Sequence, residues 1–186
     1  MKNTIITLFI LFLGFGLTQA QDIYSSTKGS ISFFSETPME NIDATNHKLR
    51  ALLNVKSGEV AFIVTNNGFE FEKPLMEEHF NENYIESHKY KLSVFKGKVD
   101  FGTVDLSKDG TYEVNASGSL DIHGVKKDRE IKGTIEVKNG ELILTTNFDV
   151  LLKDHDIKIP KIVTEKIAES VLVKVNITFS PKQKTK

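Results

Sequence analysis

The sequence predicts an all-β protein whose antiparallel sheet closes into an eight-stranded barrel. Four runs in the second half of the chain alternate apolar and polar residues, which is typical of strands with one buried and one solvated face. The dipeptide Asn139-Gly140 between two of these runs is typical of a two-residue hairpin turn. Because every strand carries one apolar face, the sheet must stack on another layer or curl onto itself, and we expect a closed barrel.

Eight segments along the chain have the length and patterning of strands. The first four are predicted at Gly29 to Glu36, Ile42 to Val55, Glu59 to Asn66 and Tyr90 to Leu106, the last with a bend near Gly97. The other four are predicted at Thr111 to His123, Arg129 to Lys138, Glu141 to Leu152 and Val171 to Phe179. Short turns connect strands four to seven, so these are expected to form a meander.

Two segments interrupt the strand pattern with helical spacing. Between Pro74 and Ser87 the apolar residues Leu75, Met76, Phe80 and Tyr84 recur at the period of a helix, and a similar pattern runs from Pro160 to Ser170. Each segment is too short to be stable alone. We therefore expect each to form a short amphipathic helix or a pair of turns across an open end, with one or two short helices near the barrel ends in total.

The first residues have the pattern of a secretory leader. Lys2 precedes an apolar stretch from Thr4 to Leu17, and small residues follow up to Ala20. The stretch is shorter than the roughly 20 residues of a membrane span. The sequence predicts a signal peptide at residues 1–20 and a single domain at residues 21–186, located in the periplasm or, alternatively, secreted.

Composition and motifs argue against several classes of protein. The chain has no cysteine, which excludes disulfides and thiol chemistry. Its formal net charge is −1, with lysines and glutamates interspersed, so we expect no nucleic-acid partner. Nucleophile-elbow, P-loop and dinucleotide motifs are absent, and the histidines lack metal-ligand spacing. We predict no catalytic residues, no metal and no cofactor; the oligomeric state stays open.

Three stretches of the chain resemble the YceI family of secreted, lipocalin-like proteins. Residues 68–97 carry that family's acidic-His-apolar turn, two aromatics and a Phe-Lys strand, as Glu78-His79-Phe80, Tyr84, Tyr90 and Phe95-Lys96. Residues 118–127 resemble the family's strand-turn pattern L-x-I-x-G-V-x-K, and the run from Val171 to Phe179 resembles its last strand. The resemblance extends over essentially all of residues 21–186.

Two positions depart from that family's pattern. Lys91 stands where the family usually has proline, and His155-Asp156-Ile157 stands where it often has an aromatic residue, glycine and isoleucine. The resemblance implies a lipocalin-like barrel that holds a long polyisoprenoid or related lipid in an apolar lumen and performs no chemistry on it.

The width of the lumen depends on the bulk of the inward side chains. Ala116, Gly118 and Gly133 share the inward parity, and such small residues would leave space there. The alternative is that the glycines relieve backbone crowding. Eight larger residues are predicted to line the lumen, the alternative being that they pack only against one another. These are Phe33, Phe62, Val64, Phe80, Tyr84, Phe95, Leu120 and Phe148.

Three polar side chains near the predicted helix have candidate roles. The hydroxyls of Tyr84 and Tyr90 are candidate donors for a quinone or phosphate head group, the alternative being a place at the rim with the hydroxyl in water. His79 is expected to stabilise its turn by hydrogen bonding.

The leading functional prediction is a carrier or sequestering protein for a long-chain isoprenoid-type lipid, polyisoprenoid or quinone-like. Such a protein would make transient contact with membranes. A second possibility is a filled β-barrel that serves as a structural or stress-related interaction module, with an exposed apolar patch. A third is a hydrolase or isomerase, which would need an inward carboxylate or histidine with a perturbed pKa.

Overall fold

The computed structural model describes residues 22–102 and 104–182. The predicted signal peptide lies outside the described residues. The strands are β1 (Ile23–Glu36), β2 (Asn41–Asn46), β3 (Leu49–Asn54), β4 (Glu59–Thr65), β5 (Phe69–Phe71), β6 (Leu92–Asp100), β7 (Gly110–Ile122), β8 (Val125–Lys138), β9 (Glu141–Leu151) and β10 (Ser170–Pro181). Helix α1 (Pro74–His79) continues into a π-helical segment (Phe80–Tyr84), and short 3-10 turns lie at Asn66–Gly68, Leu152–His155 and Lys161–Val163.

Eight of these strands form a closed antiparallel barrel, which confirms the predicted fold class. They pair in the order β1, β3, β4, β6, β7, β8, β9 and β10, and β10 pairs back with β1. Strands β2 and β5 extend the sheet beside the second half of β1, because β1 pairs with β3 through its first residues and with β2 through its last. The meander predicted for strands four to seven is present as β6 to β9.

All eight predicted strands exist, and one of them is divided. The segment predicted from Ile42 to Val55 forms β2 and β3, which separate at His47 and Lys48. Asn46 holds this break: it is fully buried, its side-chain amide donates to the Thr65 carbonyl at 2.8 Å, and its Oδ1 accepts from the Lys48 amide at 2.7 Å. A buried amide satisfied in this way stabilises a local change of direction in the strand.

Several strand ends differ from the prediction where polar residues hide the alternation. β1 begins at Ile23 rather than Gly29, because a bulge between Ser25 and Lys28 interrupts the period of two. β8 begins at Val125 rather than Arg129, because residues 126–130 are all charged and show no apolar-polar alternation. Backbone hydrogen bonds continue these strands through segments whose side chains do not alternate.

Facing glycines bring β6 and β7 into close approach. Gly97 pairs with Gly118, and a Cβ added to Gly118 would lie 2.6 Å from the Cα of Gly97. A Cβ added to Gly133 would lie 2.8 Å from the Thr145 carbonyl oxygen. The crowding interpretation is therefore the correct one for both inward glycines of the meander, Gly118 and Gly133.

The two ends of the barrel are built differently. At the end where β1 begins, the interior is filled by side chains that are almost completely buried: Leu53, Ile135, Leu142, Ile177 and Phe179. Phe101, Val104 and Leu106 of the β6–β7 connection pack against this cluster. Helix α1 and the turn at Lys161–Val163 lie at the opposite end, where β1 finishes.

Of the two segments with helical spacing, the first forms a short helix and the second forms turns, the alternative to a helix. Residues 160–170 form a 3-10 turn and further turns, and Ile162, which the helical pattern would bury, is 91% exposed. The segment is too short to propagate a helix without an apolar face packed along its length. Among the described residues, no helix combines the length and hydrophobicity that crossing a membrane requires.

Gly118→Ala is expected to lower the free energy of unfolding by about 1–3 kcal/mol, because its Cβ would force β6 and β7 apart. Chemical denaturation measures this loss. Gly110→Ala in the same strand is the matched control, since its Cβ would first meet the movable Tyr112 side chain, at 3.2 Å. Equal stability of the two variants would contradict the close-approach interpretation.

Candidate functional site

An apolar cavity of about 520 Å³ occupies the barrel interior. Strand parity turns alternate side chains inward, and both the barrel strands and α1 contribute to its wall. All eight residues predicted for the lumen lie on this wall: Phe33, Phe62, Val64, Phe80, Tyr84, Phe95, Leu120 and Phe148. Ala116 also lines the cavity, whereas Gly118 and Gly133 do not, so the prediction that all three small residues leave space for the lumen holds for Ala116 alone.

Four phenylalanines join the helical segment to the barrel near the mouth of the cavity. Phe80 packs against Phe71 with ring centroids 5.2 Å apart, against Phe33 at 5.4 Å and against Phe69 at 5.5 Å. These tilted and edge-on contacts connect the π-helical segment with β1 and β5. The aromatic cluster therefore holds the segment above the mouth and forms part of the cavity wall at the same time.

The cavity opens at one end and is blind at the other. Its wall reaches Leu53, Val99 and Phe179 toward the filled end, and no described residue of the β6–β7 connection belongs to it. At the other end the wall includes the half-buried Glu40, the exposed Lys73 and other exposed residues of the helical and turn segments. A molecule would enter from this side, past α1 and the 161–167 segment.

Tyr84 places a hydroxyl in the cavity wall. Burial raises the pKa of Tyr84 above its usual 10.0, and its hydroxyl makes no hydrogen bond to the described residues. Tyr90 does not line the cavity; its ring packs on His123 with centroids 4.2 Å apart. Of the two candidate donors, only Tyr84 is positioned to meet a molecule inside the barrel.

Two charged groups of the wall, Lys73 and Glu40, pair at the mouth. Lys73 Nζ donates to Glu40 Oε1 at 2.9 Å, and this hydrogen bond lowers the pKa of Glu40. His79 is exposed at the end of α1 and its side chain makes no hydrogen bond to the described residues, so the prediction that it stabilises the turn is wrong.

His123 performs the role that was expected of His79. Its Nε2 lies 2.8 Å from Glu86 Oε2 and its Nδ1 lies 3.0 Å from the His155 carbonyl oxygen. Both partners are acceptors, so both contacts are hydrogen bonds only when the imidazole carries two protons. We call His123 with its partners Glu86 and His155 the latch, since it joins the connection that follows the helical segment to the turn that follows β9.

The two turns that meet at the latch both contain residues with positive φ angles. His123 and Gly124 have φ angles of 54° and 75°, as in a two-residue hairpin turn of the primed type. In the turn that follows β9, Asp156 stands where the resembled family often has glycine. Its φ angle is 55°, which aspartate accepts more readily than most residues. His155 is almost completely buried in place of the aromatic residue, and its Nδ1 lies 3.0 Å from the Val125 carbonyl oxygen.

Sequence reasoning missed the latch, although the resemblance had marked the turn at His123. Glu86 and His155 are far from His123 along the chain and share no spacing with it, so only the fold brings them together. Within residues 22–102 and 104–182 there is no group of three or more histidine, cysteine, aspartate or glutamate residues that could hold a metal ion. The absence of a metal and of a cofactor stays a prediction.

Comparisons with known proteins identify relatives of the chain. The family model for the YceI-like domain matches residues 13–179. No curated protein matches the chain significantly. Solved structures with the same fold include a polyisoprenoid-binding domain from Saccharophagus degradans implicated in plant cell wall breakdown, with a TM-score of 0.77 and 14% identity, covering 88% of this chain and 100% of that one.

Two further solved structures share the fold. BcnA of Burkholderia cenocepacia has a TM-score of 0.69 and 11% identity, with 81% of this chain and 95% of that chain covered. The YceI protein of Campylobacter jejuni has a TM-score of 0.54 and 15% identity, with 99% and 100% covered. At these identities the likeness concerns the fold.

Acidification is expected to weaken the latch through Glu86. The hydrogen bond from His123 lowers the pKa of Glu86 below its ordinary 4.5. Its contribution to stability is therefore present above the ordinary glutamate pKa and is lost as the pH falls through the lower pKa of the folded protein. Glu86→Gln should destabilise the protein at about pH 7 and destabilise it less near pH 3, as measured by urea unfolding.

Glu78→Gln, at an exposed position of α1, serves as the control and should leave the free energy of unfolding unchanged at both pH values. A Glu86→Gln penalty of the same size at both pH values would show that the carboxylate charge contributes nothing to the latch.

Proposed function

The chain belongs to the YceI-like family, and on that premise we propose that it binds a long-chain isoprenoid-type lipid in its apolar cavity. The lipid is a polyisoprenoid or a quinone-like molecule. The protein acts as a periplasmic carrier or sequestering protein and performs no reaction on its cargo. Such a cargo comes from a membrane and returns to one, so transient membrane contact is part of the proposal.

The observation that carries the proposal is the cavity itself. Ligand sites are commonly apolar clefts of about 300–1,000 Å³ with few polar groups, and a cavity of about 520 Å³ that opens at one end meets that description. The alternative of a filled barrel predicts an interior without such a space. A relative with the same fold is described as a polyisoprenoid-binding domain, which supports the same ligand class.

Hydrocarbon burial can supply the affinity. Each buried methylene contributes about 0.8 kcal/mol, so a ten-carbon segment contributes about 8 kcal/mol before ordering costs, which corresponds to micromolar affinity. This attraction has no direction, so the apolar wall selects poorly among chains of equal length. Selectivity for an end group would depend on polar side chains such as Tyr84.

The titratable groups of the wall support a role without catalysis. Among the described residues, Glu40 is the carboxylate of the wall and His79 its histidine, and both lie at the mouth. The pKa of Glu40 is lowered by Lys73, which keeps it ionised and paired rather than poised near neutral pH. A general acid or base acting on a lipid inside the barrel would need the opposite shift and a deeper position.

Ala116→Phe is expected to reduce the lipid held by the protein, because the larger side chain fills part of the cavity. The protein purified from its own host is extracted with organic solvent, and mass spectrometry measures the ratio of long-chain lipid to protein. The wild type should release about one lipid per monomer. Ser117→Phe, on the exposed face of the same strand, should release as much as the wild type.

Thermal unfolding of both variants verifies that they are folded. Repeated extracts of the wild type without long-chain lipid would overturn the proposal, and so would a folded Ala116→Phe variant that retains its full load.

Tyr84→Phe is expected to weaken quinone binding by about two- to tenfold, the effect of one hydrogen bond. The variant removes only the hydroxyl and keeps the aromatic wall. Fluorescence titration with a long-chain quinone measures the loss, and a hydrocarbon of equal length, which accepts no hydrogen bond, serves as the matched ligand. An equal change for both ligands would exclude Tyr84 as a contact for the end group.

A further inference from the structure

We infer that the rim of the cavity mouth docks onto the surface of an anionic phospholipid bilayer and thereby turns the opening toward the membrane. This inference rests on the proposed lipid-binding function and names the surface through which the cargo would pass. The rim is defined by the turn at residues 37–40, the first turn of α1, and residues 158–167.

The three most exposed large hydrophobic side chains of the described residues all lie on the rim. Ile162 is 91% exposed, Met39 61% and Leu75 60%. Isolated apolar side chains are common on protein surfaces, but three that come from separate segments around one opening form a group. Ile162 stands between Lys161 and the half-buried Val163, which lines the cavity. The exposed aliphatic surface is therefore continuous with the apolar wall inside.

Specific contacts hold the three rim segments together. Thr37 and Glu40 close the β1–β2 turn, since the Thr37 amide donates to the Glu40 carbonyl at 3.3 Å. Glu40 is joined to Lys73, next to α1, at 2.9 Å and is also attracted by Lys166. The Ala168 amide donates to the Ser35 hydroxyl at 3.0 Å. These contacts join the three segments that carry Met39, Leu75 and Ile162 around one opening.

The charges of the rim identify the kind of surface. Residues 158–166 carry three lysines, Lys158, Lys161 and Lys166, and one glutamate, Glu165. The other two rim segments add Glu40, which is paired with Lys73, and Glu77, whose Oε2 accepts from the Phe71 amide of β5 at 3.4 Å. Lysines beside protruding aliphatic residues are typical of proteins that lie on anionic lipid, where the chains enter the interface and the ammonium groups remain among the head groups. Because Lys73 is paired with Glu40, the net charge is small, and the aliphatic residues are expected to supply most of the binding.

The test is co-sedimentation of the protein with vesicles of one part phosphatidylglycerol to three parts phosphatidylethanolamine. The variant Met39→Ser/Ile162→Ser removes two rim residues that do not line the cavity. It should lower vesicle binding at least about tenfold and keep the bound lipid of the wild type. The control Ile23→Ser/Leu52→Ser alters exposed aliphatic residues at the filled half of the barrel and should bind vesicles like the wild type.

Lipid extraction of every sample separates this inference from the proposed function. Loss of vesicle binding with retained lipid supports docking through the rim. A wild type that does not sediment with vesicles overturns it, and so does equal sedimentation of the rim variant. A wild type that is dimeric by analytical ultracentrifugation and becomes monomeric in the rim variant, without binding vesicles, would assign the surface to a second copy of the chain instead. Empty extracts contradict the proposed function alone.

Discussion

The pairing of β10 with β1 is the contact on which the rest of the structure depends. It joins the last strand of the described chain to the first and removes the edge that β10 would otherwise present. The apolar faces of eight strands then enclose one interior. An open sheet with the same alternating residues would have needed a second layer to cover that face, and no cavity would have formed.

The length of β1 determines the shape of the mouth. Its first residues pair with β3 and close the barrel, while its last residues pair with β2 on one side and, as far as Phe34, with β10 on the other. β5 adds to β2, and its phenylalanines meet Phe80 of the helical segment. One long strand therefore contributes both to the tightly filled end and to the aromatic wall around the opening.

The contrast between the two ends suits a molecule that holds a flexible apolar cargo. The filled end, with Phe179 and Leu142 almost without solvent contact, provides a rigid base. The mouth is held by contacts of a different kind, the latch at His123, the Glu40–Lys73 pair and the phenylalanine cluster. Hydrogen bonds and ion pairs at half-exposed positions open at lower cost than a packed core does, so motion is expected at the mouth first.

Local sequence determined most of the barrel and all eight predicted wall residues. The side-chain period of two in a strand decides which face a residue occupies, and that rule needs no knowledge of the partner strand. It placed Leu120 and Phe148, which belong to two of the alternating runs, on the cavity wall. The first helical segment was also predictable, because its apolar spacing and Pro74 mark it locally.

Only the tertiary structure decided what each inward position does. Ala116 and Gly118 share a face of β7, yet one lines the cavity and the other lies against Gly97, because strand register sets how closely two backbones approach. The partners of His123, a carboxylate from the connection that follows the helical segment and a carbonyl from the turn after β9, meet only when the barrel closes. Periodicity along the chain specifies the direction of a side chain, whereas the distance between remote residues follows from closure and register.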